Sequence, residues 1–142
     1  MSIDGAPLLA LGQRLGIDGL RLNADGLCEL VFDGGLRAAI SATAAHWVLA
    51  VQLGPHPLPP GDPTLGDALR ANFLWQATQG ATLALDGERR LWAHVALPHG
   101  AADGDALLAE LERLLDTAER WQQRRPLAAA PQRPQSWLFD RA

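Results

Sequence analysis

Apolar side chains recur along this chain with two spacings, one near 3.6 residues and one of two, and the changes of spacing mark its elements. Leu8, Leu11 and Leu15 fall at i, i+3 and i+7 behind Asp4, which can cap a helix, and Pro7, which suits an opening turn. A short amphipathic helix ending at Gly16 is predicted, with Leu9 widening its apolar face. From Leu27 the spacing becomes two: Cys28, Leu30 and Phe32 alternate with Leu27, Glu29 and Val31, and Asp33-Gly34-Gly35 supplies a turn. A second strand over Leu36 to Ile40 and a third from Trp47 to Leu53 follow.

Between Gly54 and Pro63 lie five prolines, which remove backbone donors and fix φ, so an extended surface loop is predicted there. Asp62 and Pro63 then open a helix whose Leu65, Leu69 and Phe73 form one stripe through about Ala77, with Leu74 and Trp75 adding apolar area elsewhere, before Gly80 stops it. Ala81 to Leu85 and Leu91 to Leu97 read as a hairpin closed through Asp86-Gly87. The last helix, capped by Asp103 or Asp105, keeps Leu107, Leu108, Leu111, Leu114, Leu115, Ala118 and Trp121 on one face. The order α-β-β-β-α-β-β-α with two hairpins predicts an α+β fold, a twisted antiparallel sheet with helices packed on it. One domain over 1–125 and a proline-containing, mobile tail over 126–142 are expected, the tail carrying Trp137, Leu138 and Phe139 as residues that could dock.

Composition narrows the function. At 142 residues, 48% hydrophobic and 20% charged, the chain has enough apolar surface for one core. A formal charge of −4 disfavours phosphate, so neither nucleic acid nor an anionic membrane is an expected partner. All twelve basic residues are Arg and Tyr is absent, a mark of GC-rich coding rather than mechanism. Cys28 is the single cysteine, which rules out an internal disulfide and suits a reducing compartment. Met1 to Leu11 has no basic n-region and only a short, broken apolar run, so neither a signal peptide nor a span is expected, and a cytoplasmic location is.

Little in the sequence points to chemistry. His46, His56, His94 and His99 have no metal-ligand spacing, no glycine pattern cradles a phosphate, and the carboxylates are dispersed, so no metal, cofactor or catalytic set is expected. His56 and His99 sit beside prolines and read as solvated, and His94 reads as a partly buried strand histidine. Cys28, in an alternating strand, reads as a buried thiol. One alternative remains open: a small-molecule or enzymatic cleft built around Trp92, His94 and Cys28. The apolar excess on the second helix suits an element buried on two sides, as in a homodimer, with Leu65, Leu69, Phe73 and Trp75 as its contact residues.

The stretch LGDALRANFLWQATQGATLALD, Leu65 to Asp86, resembles the helix-to-strand segment of the type III secretion chaperones of the CesT/Tir-chaperone family. LLALGQRLGI is similar to that family's opening helix, DGLCELVFDG to its first strand and turn, and LLAELERLLDTAERW to its closing helix. The resemblance runs in order to about Arg125 and implies a cytoplasmic homodimer without enzymatic activity or cofactor. It implies that such a dimer binds the N-terminal segment of a secreted effector, keeps it export-competent and helps deliver it to the secretion ATPase. An extended client needs apolar anchors and a strand edge. Leu8, Leu11 and Leu15 of the first helix, with Leu30, Phe32, Leu36 and Ile40 of the first hairpin, are the expected anchors, some of which must be core.

Overall fold

A computed structural model describes residues 3–124; the expected tail and its Trp137, Leu138 and Phe139 lie outside them. The elements follow the predicted order: α1 (Ala6–Arg14), β1 (Leu27–Val31), β2 (Arg37–Ala42), β3 (His46–Gln52), α2 (Thr64–Ala71), β4 (Thr82–Leu85), β5 (Leu91–Pro98) and α3 (Gly104–Arg124). Asp103 Oδ1 accepts the Ala106 amide at 2.8 Å and starts α3 as expected, while the N-cap of α1 is Gly5 and Asp4, one residue earlier, accepts the Ala6 amide on Oδ1 at 3.0 Å. Gly34 and Gly35 take φ of 85° and 80° in the β1–β2 turn, a conformation in which a side chain is strained.

All strand pairs are antiparallel and the order across the sheet is β1-β2-β3-β5-β4. The β4–β5 hairpin therefore enters with its second strand against β3, and β4 becomes an outer edge opposite β1. Alternation then sorts the side chains. Cys28, Ile40, Leu49 and Val95 form one row on the inner face, and Leu30, Ala38, Val51, Ala93 and Leu83 form the next. Onto this face pack Leu107, Leu111, Leu114 and Ala118 of α3, and Leu8 and Leu11 of α1 complete the same core. Each fully buried leucine contributes about 1.5–3 kcal/mol. The two helices cross closely: a Cβ on Gly104 would lie 2.6 Å from the Ala10 Cβ.

The structure revises four local expectations. The second helix ends at Ala71 rather than Ala77, and a single 3-10 turn over Phe73–Trp75 follows it. In the β4–β5 turn the positive φ falls on Arg89, at 65°, and not on Gly87. The proline-rich loop is not wholly on the surface, since Leu58 is buried, its amide donates to the Arg89 carbonyl at 2.8 Å, and Arg89 Nε donates back to the Leu58 carbonyl at 2.7 Å. His99 is held rather than solvated: its Nε2 lies 2.7 Å from the Thr43 carbonyl and its ring meets Trp47 edge-on at 6.1 Å.

Candidate functional site

The expected anchors divide by burial. Leu8, Leu11 and Ile40 have no exposed surface and Leu36 almost none, while Leu15, Leu30 and Phe32 are half-buried against the core. The leucine stripe of α1 is used up by its packing with α3, so Leu8, Leu11, Leu36 and Ile40 are core and present no groove. Leu9, off that stripe, is the exposed leucine of α1.

The second helix behaves in the opposite way. Its small residues Ala68 and Ala71 are buried, Leu65 is half-buried, and Leu69, Phe73, Leu74 and Trp75 are 72%, 59%, 67% and 55% exposed. Asn72 causes this arrangement. Its Nδ2 donates to the Leu83 carbonyl at 3.0 Å and its Oδ1 accepts the Leu83 amide at 2.7 Å, which ties the end of α2 to β4. The chain then turns through Leu74 and Trp75 at φ of 57° and 55°, a region that costs about 1–3 kcal/mol for a residue with a side chain. Four large apolar side chains thus stand in solvent, Leu69 on the last turn of α2 and Phe73, Leu74 and Trp75 on the strained turn after it, the kind of patch that marks a protein contact.

The two sheet edges differ. At β4, Asn72 occupies both backbone groups of Leu83, and Thr78 occupies those of Ala81: the Ala81 amide donates to the Thr78 carbonyl at 3.2 Å and Thr78 Oγ1 donates to the Ala81 carbonyl at 2.5 Å. At β1 the Phe32 amide donates inward to the Leu36 carbonyl at 2.8 Å. By alternation, Leu30 and Cys28 also face β2, and Leu27, Glu29 and Val31 aim their backbone groups outward. Asn23 takes those of Leu27, its amide donating to the Leu27 carbonyl at 2.8 Å and its Oδ1 accepting the Leu27 amide at 3.0 Å. Among the described residues no partner covers the outward groups of Glu29 and Val31. This is an open edge two alternate residues long, and Val31 is 68% exposed.

The outer face of the sheet, away from α1 and α3, carries the row Val31, Arg37, Gln52, Trp92 and Ala84, and beside it Glu29, Ala39, Ala50, His94 and Thr82. Val31, Arg37, Gln52 and Trp92 of the first row floor a depression of about 580 Å³, walled by the β4–β5 turn. Asp86 builds that wall, accepting the amides of Glu88 at 2.8 Å and Arg90 at 2.9 Å on Oδ1 and the Trp92 indole at 2.9 Å on Oδ2. Desolvation pushes the Asp86 carboxyl up, but these bonds and the Arg90 charge outweigh it and hold the pKa below the ordinary carboxylate value. The alternative cleft is not assembled: Trp92 and His94 lie on the outer face and Cys28 on the inner one, so the sheet separates them. Burial, and then the neighbouring Glu29 charge, raise the Cys28 pKa, which favours the protonated thiol. No group of three His, Cys, Asp or Glu that could hold a metal ion occurs among the described residues, and no helix among them is long and apolar enough to cross a membrane.

Asn72, Asn23 and Thr78, which decide the two edges, carry no periodic signal. The trace each leaves in the sequence is a short polar residue beside a turn, which is common in any chain.

The comparisons fit this architecture. A chain of the ExsC–ExsE complex aligns with a TM-score of 0.69 and 22% identity, over 82% of this chain and 88% of that one. A chain of the HopA1–SchA chaperone–effector complex gives 0.66 and 23%, over 82% and 91%. A chain of the heterodimeric ExoU–SpcU complex from the type III secretion system of Pseudomonas aeruginosa gives 0.57 and 27%, over 79% and 91%. No curated protein sequence matches the chain significantly. The profile of the Tir chaperone protein (CesT) family matches residues 8–122, nearly all of the described domain, and the chain therefore belongs to the CesT family.

Proposed function

We propose that this protein is a type III secretion chaperone that holds the N-terminal segment of a secreted effector in extended form by adding it as a strand to the β1 edge. The observation that carries the proposal is the asymmetry of the edges: along β4 Asn72 holds Leu83 and Thr78 holds Ala81, which leaves Leu85 at its end as the one outward residue without a described partner, and β1 is open at two alternate residues, Glu29 and Val31. An extended segment there gains main-chain hydrogen bonds without folding, and its alternate side chains meet half-buried Leu30 on one face and Val31 on the other. This is holding and not catalysis. It needs no nucleophile or cofactor, in keeping with a Cys28 thiol that stays protonated.

The chain works as a homodimer in the cytoplasm, with Leu69, Phe73, Leu74 and Trp75, flanked by Leu65, as the contact between copies. Delivery of the client to the secretion ATPase would follow from export-competent holding.

Val31→Pro tests the edge. The Val31 amide points away from β2, so proline there removes no ladder bond and is tolerated as edge prolines are. It removes the donor a client carbonyl would use. With the N-terminal segment of an effector that co-purifies with the protein as ligand, Val31→Pro is expected to weaken binding at least about tenfold, read by titration, with the melting temperature shifted by only a few degrees. Unchanged binding would put the client elsewhere.

A further inference from the structure

We propose that the β1 edge selects its client by charge: the added strand places a basic residue beside Glu29 and a large apolar residue, two positions away, beside Val31. The inference rests on strand addition at β1 and goes beyond it by naming the chemistry of the segment.

Three observations carry it. Glu29 is exposed on the outer face and makes no ion pair among the described residues. Its neighbours along the row, Ala39 and Ala50, are neutral and small, so nothing directly beside it offsets the charge. Arg37, the nearest cation by register, stands opposite Val31 and not opposite Glu29. A cross-strand residue added at Glu29 is therefore the position where a positive charge is favoured and a negative one opposed.

The second position follows from the same register. A residue added beside Val31 lies at the mouth of the depression of about 580 Å³, where Val31, Pro55 and Trp92 offer apolar surface among the charged Arg37, Asp86 and Arg90, and which has room for an aromatic or branched side chain. The edge closes at Leu27, where Asn23 holds both backbone groups, so the register offers these two outer-face positions and no third. Glu29 also acts against the wrong partner. Two copies pairing through their β1 edges would bring their Glu29 carboxylates to one short ladder, and like charges there are destabilising.

A displayed library of random short peptides, selected separately on the wild-type protein and on Glu29→Arg, reads this out. Peptides from the wild type are expected to carry Arg or Lys two positions from Phe, Trp, Ile or Val, and those from Glu29→Arg to carry Asp or Glu at the same place. Each set should bind the other protein about fivefold more weakly, the size expected when a cross-strand pair changes from attractive to repulsive. The same sequences from both proteins, bound equally by each and lost on Val31→Pro, overturn the charge selection while strand addition stands. Peptides bound undiminished by Val31→Pro, or none recovered from either protein, overturn both. The melting temperature of Glu29→Arg, an exposed change, serves as the control for folding.

Discussion

Phe73→Asp is expected to turn the homodimer into a folded monomer. In the single chain Phe73 is 59% exposed and sits with Leu74 and Trp75 on the turn after Asn72, beside Leu69 of α2, so the change removes nothing from the core. In the proposed dimer the same position would be an aromatic anchor at the contact, and placing a carboxylate there would strand a charge against apolar surface. Anchors of this kind are worth about 2 kcal/mol or more, and an unpaired buried charge adds to that, so dissociation should strengthen at least a hundredfold or so. Sedimentation at micromolar concentration should show half the wild-type mass with an unchanged helical spectrum. A wild-type protein that is itself monomeric would remove the dimer from the account, and the strain at Leu74 and Trp75 would then need another explanation.

Leu11→Asp has a large effect of a different kind. Leu11 has no exposed surface and packs where α1 meets α3, so an aspartate there is a buried charge without a partner. Changes of this class cost more than about 4 kcal/mol, against a total stability of about 5–15 kcal/mol for a domain. The variant should be largely unfolded or insoluble. Leu9→Asp, one turn-face away and 42% exposed, should stay within about 0.5 kcal/mol of wild type by urea unfolding. If Leu11→Asp kept its stability and lost only client binding, α1 would be a groove after all, contrary to its packing.

These two residues also mark where the sequence could and could not be read. Spacings of 3.6 and two survive folding almost unchanged, so the elements and their order were legible from Leu8 to Trp121, and so was the inward face of α1. What buries that face was not: leucines at i, i+3 and i+7 look alike whether they meet α3 or a client. The stripe Leu65, Leu69 and Phe73 misled about the length of α2, because its end is set by a bond between Asn72 and Leu83, eleven positions apart. The separation of Cys28 from Trp92 and His94 depends on register across three strand pairs, and the open edge depends on β5 entering beside β3. Neither is written in any local period. Family resemblance supplied the class of function, and the edge that would serve it became visible only when Asn23, Asn72 and Thr78 were in place.

Amide hydrogen exchange on the protein with and without its effector segment tests strand addition most directly. The outward amides of Glu29 and Val31 have no partner among the described residues of the free chain and should exchange quickly there. On binding, the account predicts strong new protection at Glu29 and Val31, with the Leu83 amide, already held by Asn72, unchanged. Client binding that leaves Glu29 and Val31 exchanging freely, with new protection confined to β4 or to the α2 turn, would contradict it.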